Sequence, residues 1–96
     1  MLLLTFNAVP AAGNPARDRG AIINCYVDYA DFESAEFIAR KYLASKGWIT
    51  QRMEEEPVIP APYRFPLGRW ARLKNHCLRT AQKTGISWLC FTYDEE

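Results

Sequence analysis

The sequence has few of the residues that common catalytic and metal sites draw on. It holds one histidine, His76, and three cysteines, Cys25, Cys77 and Cys90, with no CxxC pair. A zinc site needs several such ligands at set spacings, so no metal is expected. An odd number of thiols, each inside an apolar run or a helical pattern, gives no disulfide framework either. They read as reduced, buried cysteines of a cytoplasmic protein. No apolar run nears the ~18 residues that a membrane-spanning helix needs. Met1-Leu2-Leu3-Leu4 has no basic residues before it and breaks at Asn7 and Pro10, too soon for a signal peptide. An excess of one charge is missing too. Twelve Lys and Arg stand against eleven Asp and Glu, a net charge of +1, so the whole molecule has no strong field toward nucleic acid or membrane. Gly13 and Gly20 lack the GK[ST] ending of a phosphate-binding loop. No catalytic residue and no cofactor is assigned.

Aromatic residues are the relative abundance, with three Trp, five Tyr and five Phe in 96 residues. The length is that of a single domain, residues 1–96, which buries roughly 60–65% of the surface its unfolded chain exposes. Some of these rings are therefore expected in a self-association or binding surface.

Residues 2–9 form an apolar run stopped by Pro10 and read as a strand, an extra element at the N-terminus (1–9). Residues 10–20, with two Pro and two Gly, read as an exposed loop. Residues 21–29 are rich in β-branched and aromatic residues. They place Ala21, Ile23, Cys25, Val27 and Tyr29 on a core face, and Ile22, Asn24, Tyr26 and Asp28 on the other. Asp31 is a natural N-cap for a helix that Gly47 ends. Its inward stripe is Phe32, Ala35, Ile38, Ala39, Tyr42 and Leu43; Glu33, Glu36, Arg40 and Lys41 point out. Phe37 falls among the charges, as lone exposed rings often do. A strand over 48–55 follows, with Ile49 and Met53 inward and Trp48, Thr50, Arg52 and Glu54 outward. Residues 21–55 thus make a βαβ unit.

Four prolines make residues 57–66 an extended link that cannot be a central strand. A helix from about Leu67 to Thr84 carries Trp70, Leu73, Cys77, Leu78 and Ala81 on its apolar side. A last strand, 86–93, completes the 67–93 segment, with Leu89, Phe91 and Tyr93 on one face and Trp88, Cys90 and Thr92 on the other. The fold class expected is α+β. If the Pro-rich link adds an edge strand, the order becomes the split βαβ of a ferredoxin-like sandwich. Its antiparallel sheet has both helices on one face, and the N-terminal strand is an added edge or hairpin element.

Three features stand out. The face left open by that arrangement would gather Tyr26, Trp48 and Trp88 with Asn24 and Arg52. Large rings there call for a cover, and a second copy of the chain is the simplest one. Arg69, Arg72, His76, Arg79 and Lys83 recur at spacings of three and four, one basic stripe on the second helix. It suits phosphates or an acidic partner, or is an ordinary solvated face. Lys74 falls inside the apolar arc of the same helix, where its stem lies on the core and its ammonium snorkels, or it lines a pocket. The expectation is a small, soluble, non-enzymatic homodimer that binds a partner or small molecule through the open sheet face. Nucleic-acid or anionic-partner binding along the stripe is the alternative, and a small enzyme at the dimer seam, using His76 or Lys74, is the third.

Overall fold

A computed structural model gives four strands and two helices in the order β1 (Leu2–Pro10), β2 (Gly20–Val27), α1 (Phe32–Ser45), β3 (Trp48–Met53), α2 (Arg69–Thr84) and β4 (Ile86–Tyr93). The structure describes residues 1–14, 20–54, 57, 59 and 69–93, and only the backbone of 69–71. The expectations for 15–19, for the tail 94–96 and for the link 57–66 apart from Pro57 and Ile59 lie outside the described residues.

The strands form one antiparallel sheet, β3-β1-β2-β4. The fold is therefore α+β, but the N-terminal strand is not an added edge. It sits in the middle, pairing with β2 from Leu2↔Val27 to Ala8↔Ala21 on one side and with β3 on the other. The reason is visible in its side chains, since Leu4, Phe6 and Ala8 are wholly buried and an edge strand could not bury them so well. The described strand order is not the ferredoxin-like one.

The two helices also do not share a face. Leu4, Phe6, Ala8, Ala21, Ile23, Cys25 and Val27 form one core with Ala35, Ala39 and Leu43 of α1. Tyr26 belongs to a separate cluster with Cys77, Leu78 and Ala81 of α2, flanked by Met1, Leu3 and Leu89. Successive strand residues point to opposite faces, so Cys25, Tyr26 and Val27, all buried, require cover on both sides of β2. One helix cannot supply both. Tyr29, expected inward, lies beyond the end of β2 and is 49% exposed.

Local chemistry fixes the ends of α1. Asp31 takes an extended conformation, and its Oδ2 accepts from the Ser34 N–H at 2.9 Å and from Ser34 Oγ at 2.6 Å. Those bonds, the hydroxyl first, hold its carboxyl below the ordinary value. Gly47 closes the helix at φ +91°, a conformation that favours glycine. Its carbonyl accepts from the Ala11 N–H at 2.9 Å and from Asn14 Nδ2 at 2.6 Å, which ties the β1–β2 turn to the helix end.

Just after Gly47, β3 faces the opposite way from the sequence expectation. Trp48 is 5% exposed and packs in the α1 core, whereas Ile49 is 51% exposed. The register shift opposite Phe6–Ala8 then returns Met53 to the core side. Arg40 fastens this irregular edge. Its Nη1 donates to Thr50 Oγ1 at 3.1 Å and to the carbonyls of Thr50 and Gln51, while Nε meets Glu36 at 3.0 Å. The guanidinium lies 5.0 Å from the centroid of the Phe6 ring, a cation–π contact that keeps its charge at the core margin.

From the other edge strand, β4, Tyr93 crosses over Gly20 and donates its hydroxyl to Asn7 Oδ1 at 3.1 Å. Asn7 Nδ2 donates in turn to Glu54 at 2.9 Å. A Cβ on Gly20 would stand 2.6 Å from the Tyr93 hydroxyl and 3.1 Å from the Ala8 carbonyl. Gly20→Ala is therefore expected to cost about 1–3 kcal/mol by overpacking. Adding Tyr93→Ala should recover part of this, a coupling of about 1 kcal/mol in urea unfolding. Purely additive losses would count against the close approach.

Candidate functional site

The residues expected to share an open face are divided between two. Tyr26 is 2% exposed beneath α2. Trp48 and Trp88 join the core under α1 on the other side, Trp48 buried and Trp88 half-buried. Asn24 is half-buried, its side-chain oxygen accepting from Thr5 Oγ1 at 3.0 Å. Arg52 lies on the edge strand, 78% exposed, 3.5 Å from Glu54. The geometry makes no common site of these five. On the α2 side of the sheet, half-buried Ile22 and Phe91 and the exposed Ile49 belong to neither core cluster.

The stripe on α2 is brought together. Arg72, His76, Arg79 and Lys83 are all exposed, and Arg69 opens the helix, its side chain outside the described residues. α2 contains no Asp or Glu. Among the described residues, no ion pair involves any of these side chains. Lys74 is half-buried and is engaged within the fold.

Along the flank of that stripe runs a cleft of about 470 Å³, lined by Tyr42 of α1, His76, Cys77, Thr80 and Thr84 of α2, and Ile86, Ser87 and Trp88 of β4. Helical spacing explains the arrangement. At about 100° per residue, Thr80 and Thr84 lie roughly 40° and 80° to one side of His76, while Lys83, Arg72 and Arg79 lie roughly 20–60° to the other. His76 is thus the shared border of stripe and cleft. The cleft itself was not foreseen, because it joins residues from α1, α2 and β4 that no sequence spacing links.

Hydrogen bonds in the cleft serve the fold. The Ser87 hydroxyl donates to the Cys77 carbonyl, and Cys77 Sγ donates to the Trp88 carbonyl at 3.6 Å. Thr84 Oγ1 lies 2.9 Å from the carbonyls of Thr80 and Ile86 and shares its one proton between them. Lys46 Nζ is 5.3 Å from the centroid of the Tyr42 ring. Burial raises the Cys77 thiol, with the Ser87 hydroxyl lowering it in part. A nucleophilic cysteine needs the reverse. His76, next in sequence, projects about 100° away around the helix. Among the described residues, no group of three or more His, Cys, Asp or Glu is placed to hold a metal, and no helix is long and apolar enough to cross a membrane.

Cys25 shows the effect of burial most strongly, its thiol pushed up to about 12 from 9.0 by desolvation. Because the folded value lies above the unfolded one, the native state keeps its proton where the unfolded chain loses it. The contribution of this thiol is therefore full below pH 9 and is lost as pH rises toward 12, by roughly 4 kcal/mol at most. Urea midpoints measured from pH 8 to 10.5 should fall more steeply for the wild type than for Cys25→Ala. Equal slopes would show that this thiol titrates normally. Compared with known proteins, the chain matches no family model, no curated protein and no solved structure.

Proposed function

We propose that the chain is a non-enzymatic binding domain that holds an extended polyanion, a nucleic-acid backbone in the first instance, along α2. The observation that carries this is the exposed stripe of Arg72, His76, Arg79 and Lys83 on a helix without a carboxylate. Solvated surface helices usually mix both signs, as α1 does with its Glu36–Arg40 pair. The charges are also segregated. α2 holds five Lys and Arg, which leaves seven basic and eleven acidic residues elsewhere, a net −4. From residue 72 to residue 83 the stripe spans about 16 Å, the axial rise of about five phosphates on one strand.

Fluorescence anisotropy with a labelled 20-nucleotide strand tests this. Binding should weaken with a log–log salt slope of about −2 to −3, the value for three neutralised phosphates. The Arg72→Ala, Arg79→Ala, Lys83→Ala triple variant should bring that slope near zero. An absence of binding at 20 mM salt would sink the reading.

Self-association is a second reading, favoured by Ile49, 51% exposed beside half-buried Val9. Among the described residues β3 is an edge strand, and an edge with an exposed apolar residue is a ready pairing surface. Light scattering behind size exclusion should give twice the chain mass for the wild type and a single mass for Ile49→Lys. A wild type that stays single at 1 mM would remove the dimer. Both readings suit a reducing, cytoplasmic setting, in which Cys25, Cys77 and Cys90 stay reduced.

A further inference from the structure

We infer that the cleft beside the stripe receives an unpaired base, so that the ligand of α2 is a single-stranded nucleic acid rather than a duplex. The inference rests on the reading of α2 as a phosphate-binding surface and adds the class of nucleic acid.

Three observations converge. The cleft and the stripe share His76, so a backbone lying on Arg72, Arg79 and Lys83 passes along the mouth of the cleft. Its volume, about 470 Å³, falls in the range of small-molecule sites and admits one flat ring system. Its lining includes the aromatic residues Tyr42 and Trp88, and base–aromatic stacking is the main sequence-tolerant contact of single strands. A duplex keeps its bases paired inside, and presenting one to the cleft would require flipping it out of the stack.

The polar groups define how selective the cleft is. Ser87 and Thr84 are committed to main-chain carbonyls, which leaves Thr80 and His76 to meet a base edge. Two such groups cannot read the full donor and acceptor pattern of a base. Recognition is therefore by stacking, with weak sequence preference.

The test compares a labelled 20-nucleotide strand with its duplex by anisotropy, for the wild type, Thr80→Tyr and the Arg72→Ala, Arg79→Ala, Lys83→Ala variant. Thr80→Tyr fills the cleft from a helix position while leaving the stripe intact. The wild type should bind the single strand about tenfold or more tighter than the duplex. Thr80→Tyr should lose that preference while keeping its duplex affinity, and the triple variant should lose both ligands. Equal wild-type affinity for strand and duplex, or unchanged single-strand binding by Thr80→Tyr, would overturn the cleft assignment and leave the stripe reading standing. No binding of either ligand by the wild type would overturn both. A readout that needs no variant is photocrosslinking of a 5-bromouridine-substituted strand to the wild-type chain. The adduct is expected on Tyr42 or Trp88, and adducts confined to peptides outside the cleft would refute the assignment.

Discussion

The pairing of β1 with β2 is the constraint from which the rest of the structure follows. Seven register pairs, from Leu2↔Val27 to Ala8↔Ala21, put these two strands at the centre of the sheet. Central strands bury both faces, and the side chains of β2 are apolar on both. Ala21, Ile23, Cys25 and Val27 need a cover on one side and Tyr26 needs one on the other. α1 meets the first need through the small residues Ala35 and Ala39, which let the helix approach closely. α2 meets the second at one end of the sheet only. The unequal cover has two results, a cleft along the α2–β4 border and apolar residues such as Ile49 outside both cores.

Much of the fold was legible in the sequence because local signals agreed with it. Asp31 and Gly47 bound α1 as capping chemistry predicts, and Gly85 follows α2 at φ +95°. What was misread came from applying strict alternation to strands that do not obey it. The run AIINCYV is almost continuously apolar, the pattern of a strand buried on both sides, and treating Tyr26 as the outer face of a half-covered sheet led to the wrong side for α2. In β3, Trp48 turns inward just after Gly47, and the register shift changes parity before Met53. A shift of this kind depends on the partner strand, so residues 48–53 alone do not encode it. The open face of Tyr26, Trp48 and Trp88 was built on those two misreadings and on a third in β4, where Trp88 and Cys90 pack toward α1 and Leu89 toward α2.

The stripe was legible for the opposite reason. Spacing on a helix needs no partner to define it, and Arg72, His76, Arg79 and Lys83 are exposed together as the 3.6-residue period requires. The cleft beside it was not, since Tyr42 and Trp88 meet α2 only through the sheet order. Helical spacing marks the charges of the candidate site, whereas Trp88 is singled out for a different face and Tyr42 only for the core stripe of α1.

A net charge of +1 was the chief reason to discount nucleic acid, and screening shows why it decides little. At physiological ionic strength the Debye length is about 8 Å, shorter than the 13.2 Å radius of gyration. A phosphate on the stripe therefore responds mainly to neighbouring side chains, which stand about 5–6 Å apart along the helix. The acidic excess of the remaining chain is mostly screened from it. That excess still matters at low salt, where the Debye length grows to about 30 Å at 0.01 M and the whole molecule is felt. Under the proposed function, the local density of cations on α2, rather than the net charge, would therefore set the strength of binding at physiological salt.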